Sequence, residues 1–136
     1  MNKPQFTIQT RESEYDLTAS VRLIGQDLLV AIWGGDKPHI GAVAMAQPRP
    51  SLMDPAVTSS TASVFCYVGH KEDELAKAVA EILAAALKTN VVVTAGIHWD
   101  NLPPEGIQRV IRNSEILVEM ILDRYAAEFS SHGKDA

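Results

Sequence analysis

A single cysteine in 136 residues, Cys66, stands inside an apolar run; this excludes a disulfide scaffold and leaves no CxxC pair for zinc or thiol chemistry. No run of Lys or Arg occurs, and 17 acidic against 12 basic residues leave a net charge of −5. That balance argues against duplex nucleic acid held by phosphate neutralisation, while leaving room for an anionic small molecule in a local pocket. No apolar stretch approaches the roughly 20 residues of a bilayer span, and the opening MNKPQFTIQT lacks the apolar core of a signal peptide. A cytoplasmic, reducing location without membrane insertion is the expectation. GxGxxG, GxxxxGK[ST] and GxSxG are all missing, which counts against a Rossmann dinucleotide site, a P-loop and a nucleophile elbow.

What is present is ordinary globular composition, 46% hydrophobic and 21% charged, in a length that fits one domain spanning 1–136. Phe6, Ile8 and Thr10, then Tyr15, Leu17, Ala19, Val21 and Leu23, alternate with polar residues, the period-two mark of half-buried strands. Leu28 to Trp33 is apolar on both faces and reads as a central strand. These three strands predict an antiparallel meander, followed by a fourth strand over 40–46 and a fifth over 62–68. The intervening 47–60, with Pro48, Pro50 and Pro55, reads as a surface loop. A helix beginning near residue 71 carries the stripe Leu75, Val79, Ile82, Leu83, Ala86, with Glu72, Asp73 and Glu74 favoured in its first turn by the helix dipole. Val91 to Ala95 is a β-branched strand that closes a parallel β-α-β unit. A last helical segment, capped by Asp100 or Asn101, keeps Ile107, Val110, Ile111, Val118, Ile121, Leu122, Tyr125 and Phe129 on one side. It becomes two helices if Asn113-Ser114-Glu115 restarts it, and 130–136 is expected to fray. The fold class is therefore α+β: a mainly antiparallel meander sheet plus a β-α-β unit, covered by two helices or three.

Three of the four histidines, His39, His70 and His98, sit in glycine-containing breaks at strand ends. If those ends share one edge of the sheet, the loops converge where α/β sheets commonly bind ligands. Glycines let backbone N–H groups approach a ligand, Lys37 and Lys71 offer positive charge, and the helix after Gly69 presents unpaired donors, so a phosphate would suit the place. Each histidine taken singly is better explained as a solvated or hydrogen-bonded loop residue. A metal centre built from His39, His70, His98 and Asp100 is the rival reading, although about thirty residues separate successive histidines and only the fold could assemble them. Trp33 and Trp99 flank two of the loops and offer either a stacking face or a core seal.

The segments PHIGAVAMAQP, GHKEDELA and GIHWDNLPPEGI resemble the small accessory D subunit of gallate-decarboxylase-type systems, a prenylated-flavin chaperone family related in fold to proteasome assembly chaperones. The likeness runs from about Trp33 to Arg112. It implies a non-catalytic protein that binds prenylated FMN, or FMN, and assists maturation of a UbiD-type decarboxylase, acting between that enzyme and the flavin prenyltransferase. It also implies a dimer, built from the last helix or from a sheet edge. The family's motif positions fall on His39, Gly41, Gly69, His70, Lys71, Gly96, His98, Asp100 and Asn101. To these the residue chemistry adds Lys37 near a phosphate and Trp99 near a ring system. A purely protein-binding assembly chaperone is the remaining alternative.

Overall fold

A computed structural model describes residues 4–67 and 72–134, the last five in backbone only. Six strands, β1 (Gln5–Gln9), β2 (Leu17–Ile24), β3 (Asp27–Gly35), β4 (Ala42–Pro50), β5 (Thr58–Cys66) and β6 (Val91–His98), form one sheet in the order β1-β2-β3-β6-β4-β5. Helix α1 (Asp73–Leu87) precedes β6, and α2 (Pro104–Lys134) follows it. All neighbours are antiparallel except β3 and β6. The class is the α+β arrangement expected, with one difference in the crossover. β5 and β6 do run parallel, but β4 lies between them, and the parallel partner of β6 is β3, with Leu28 opposite Val91 and Gly35 opposite His98.

Both helices lie on the same face of this sheet. α1 covers β4, β5 and β6, while α2 covers β1 and β2 and touches α1. Small residues set the first contact: Ala76, Ala80 and Ala84 are fully buried over Ala42, Ala44 and Ala46, so helix and sheet approach closely. Val30, Ile32, Val91, Val93 and Leu83 fill the space around them. Under α2 lie Phe6, Leu17, Ala19 and Val21. Among the described residues no helix is long and apolar enough to cross a membrane.

Four local expectations are corrected. β4 extends through Pro50 and β5 starts at Thr58, so the loop is 51–57 rather than 47–60. The prolines fit because β6 pairs only with Ala42–Ala46, and beyond that point β4 has a ladder on one side only. Second, α2 is one continuous helix, Pro104–Lys134, rather than two. Asn113 does not restart it, because its buried side-chain amide donates to the carbonyls of Glu14 and Tyr15 in the β1-β2 connection, both at 2.8 Å. Third, neither Asp100 nor Asn101 caps α2. The Pro103 carbonyl takes the first helical hydrogen bonds, from Gly106 and Ile107, and Pro104 occupies the first turn, where it has no intrahelical donor to lose. Finally, Ile82 is about half exposed, on the rim of the α1 stripe rather than within it.

Candidate functional site

The carboxyl ends of β3 and β6 and the start of β4 meet at one end of the sheet. Gly35 pairs with His98, the Asp36 N–H donates to the His98 carbonyl at 2.7 Å, and the Gly41 N–H donates to the Ala95 carbonyl at 2.9 Å. The His39 and His98 loops therefore converge as the glycine pattern anticipates. Gly69, His70 and Lys71 lie outside the described residues, so the third loop is followed only from Glu72 onward.

His39 stands between two oxygen atoms. Its Nδ1 donates to the Lys37 carbonyl at 2.8 Å, and its Nε2 stands 2.8 Å from Glu72 Oε1. Glu72 Oε1 also accepts from the Ile97 N–H at 3.2 Å. One carboxylate thus joins the β3-β4 loop, the end of β6 and the start of α1. Glu72 occupies the position before α1 without a capping hydrogen bond from its own side chain, which is turned to this tertiary role. Two glycines make room: a Cβ at Gly96 would fall on the His39 carbonyl, and one at Gly41 on the Glu72 carboxylate. Glu72 went unrecognised in the sequence because the helix dipole is sufficient reason for an acid in a first turn.

His98 makes a separate pair. Its Nε2 donates to Asp100 Oδ1 at 2.9 Å, and Lys37 Nζ lies 3.5 Å from the same oxygen. The His98 hydrogen bond first, and the Lys37 charge second, hold the Asp100 carboxyl below its ordinary range. A carboxyl depressed on folding favours the folded state above its ordinary pKa, and that favour is lost as the pH falls through the lower folded value. Replacing His98 by alanine is expected to raise the Asp100 titration towards the ordinary carboxylate range, as read by carbon-detected NMR. An unmoved titration would show that the bridge does not persist in solution. Trp99 turns the other way, edge-on to Tyr15 with ring centroids 5.2 Å apart and against Gly34. Asn101 has left-handed backbone, φ 54°, which redirects the chain towards α2.

Between these loops and the helices lies a cleft of about 810 Å³. Lys37, His39, Glu72, Glu74 and His98 form its polar rim. Its walls are apolar, with Leu75 of α1 on one side and Ile107, Val110 and Ile111 of α2 on the other. Ile107 and Ile111 are 48% and 45% exposed although they share the apolar stripe of their helix. Of the residues expected at a site, Lys37, His39 and His98 line this cleft; Gly41 and Asp100 support its rim, and Trp99 and Asn101 lie outside its lining. Among the described residues, no three His, Cys, Asp or Glu side chains are grouped so as to hold a metal ion. His39 and His98 instead have separate carboxylate partners.

Residues 11–126 match the family model described as Prenylated flavin chaperone LpdD-like domain. Protein LpdD of Lactiplantibacillus plantarum is 29% identical over 98 residues, spanning 71% of this chain and 67% of that protein. A solved structure titled as a novel chaperone complex for yeast 20S proteasome assembly matches with a TM-score of 0.54 at 18% identity, over 93% of this chain and 98% of that one. At that identity the likeness speaks for the fold alone. With 11–126 covering most of its length, the chain belongs to the prenylated flavin chaperone LpdD-like family and is a chaperone-type protein.

Proposed function

We propose that the chain is a non-catalytic carrier of prenylated FMN that assists maturation of a UbiD-type decarboxylase, receiving the cofactor from the flavin prenyltransferase and working as a homodimer. The observation that carries this reading is the cleft between α1 and α2, apolar in its walls and polar at one rim. Its volume lies within the range of roughly 300–1,000 Å³ common to small-molecule sites. A fused aromatic ring system enlarged by a prenyl-derived ring matches walls of Leu75, Ile107, Val110 and Ile111. The rim supplies hydrogen-bonding partners for a polar tail, with Lys37 as its cation. Such a site binds and shields; the bound flavin's own chemistry would be used in the partner enzyme.

The test is to mix the purified chain with prenylated FMN and follow absorbance through gel filtration. Co-elution of the chromophore with the protein is expected. Ile111→Asp places a carboxylate on the apolar wall at an already half-exposed position, and should weaken binding roughly tenfold or more. A wild-type chain that retains no chromophore but still binds the apo-decarboxylase overturns the carrier reading in favour of a purely protein-binding chaperone.

A further inference from the structure

We infer that β5, the edge strand beside the cleft, is where the client protein docks, by adding an extended, uncharged segment of its own to the sheet. This rests on the reading of the chain as a helper of a partner enzyme, and assigns the surface that reading leaves open.

The direction of the backbone groups follows from the two ends of the β4-β5 ladder. The Tyr67 N–H donates to the Gly41 carbonyl, and the Ser51 N–H to the Val57 carbonyl, both at 2.8 Å. Alternate residues of a strand point their N–H and C=O groups to opposite sides, so Ser59, Thr61, Ser63 and Phe65 serve β4. Ser60, Ala62 and Val64 then point outward, where the sheet ends. Pro48 and Pro50 agree with this, since they stand opposite Ser60 and Thr58, where the ladder needs no donor. Among the described residues, no backbone hydrogen bond takes up Ala62 or Val64 on that side. Sheet edges are ordinarily blunted by brevity, charge, proline or a bulge. β1, the opposite edge, has five residues and lies under α2. β5 has nine, TSSTASVFC, without charge or proline, and pairs with β4 in an unbroken register.

Its side chains define the occupant. Ser60 Oγ donates to the Glu81 carbonyl of α1 at 2.8 Å, which puts Ala62 and Val64 on the helix side and Ser63 and Phe65 on the other. Val64 is 41% and Phe65 66% exposed, and Tyr67 stands edge-on to Phe65 with ring centroids 5.7 Å apart. The edge is polarised, with hydroxyls over 58–61 and apolar side chains over 64–67. A strand added here gains main-chain hydrogen bonds along its length, with apolar residues at one end and small or hydroxyl residues at the other. A second copy lacks that match: β5 paired antiparallel with itself about Ala62 sets Val64 against Ser60 and Phe65 against Ser59. The apolar end also adjoins the cleft. Cys66 pairs with Ala42, and Gly41, which accepts from Tyr67, lies against the Glu72 carboxylate of the rim. A client docked on β5 is therefore set beside the cargo site.

Hydrogen exchange of the full chain, with and without the apo form of the UbiD-type decarboxylase, tests this. The Ala62 and Val64 amides are expected to exchange at least tenfold more slowly in the complex. Ala62→Pro removes an outward donor and no bond to β4, and Val64→Lys places a charge on the edge. Each is expected to weaken the complex about tenfold with an unchanged circular dichroism spectrum. A complex that leaves both amides unprotected, or that survives both substitutions at full strength, overturns the docking edge alone. Protection that appears without the decarboxylase and grows with chain concentration gives the edge to a second copy and also overturns it. A chain that binds no decarboxylase overturns the client reading, and this docking with it, while flavin co-elution reports separately on the carrier reading.

Discussion

Replacing Gly96 by valine is expected to lower the unfolding free energy by about 3 kcal/mol and the melting temperature by roughly 10 °C. The neighbour a side chain would strike is backbone, the His39 carbonyl, which cannot rotate aside as a side chain can. Relief requires β4 to move away from β6, which breaks the Gly41-to-Ala95 hydrogen bond and draws His39 from Glu72. On the carrier reading proposed above, the substitution should also remove flavin binding even below the melting temperature. Thermal denaturation with flavin co-elution checks it; an unchanged melt would mean that the loop has freedom this close approach denies.

Phe129→Ala should cost about 4 kcal/mol, in the range for deleting a fully buried aromatic side chain. The Phe129 ring lies 5.6 Å from Phe6 of β1 and edge-on to Tyr125 at 5.4 Å, with Arg124 over the far partner, Phe6. It fastens the later turns of α2 to the edge of the sheet. Urea denaturation reads the loss, and hydrogen exchange should quicken along those turns first. A loss below about 1 kcal/mol would place the anchoring of α2 elsewhere, at Leu117 and Ile121.

Much of this architecture is legible in residue patterns. The alternation of Leu17, Ala19, Val21 and Leu23 marks β2 and its buried face, and the stripe of α1 gives its location within two residues. Strand order is not legible, since a period of two records which face is apolar and nothing about which strand is adjacent. Local rules also fail where a tertiary partner outbids them. Asn113 looks like a cap, yet its amide serves two loop carbonyls contributed from the other end of the chain. Pro48 and Pro50 look like loop residues, yet β4 passes through them where β6 has ended. At the site, glycines beside His39 and His98 correctly indicate close approach. Their partner Glu72 is hidden behind an ordinary helical explanation, and the cleft walls are hidden within what reads as core stripe. The two-sided apolarity of β3 was visible from the outset, and only coordinates show that one side lacks a covering helix.

The parallel pairing of β3 with β6 has a consequence for how the chain reaches this state. The β1-β2-β3 meander and the β4-β5 hairpin each form from residues close in sequence, whereas Leu28 must wait for Val91 before the two pieces are joined. Distant pairings of this kind close slowly because their loop entropy is lost before contacts compensate. During synthesis, then, the two halves exist as unjoined ribbons until β6 emerges from the ribosome and wedges between them.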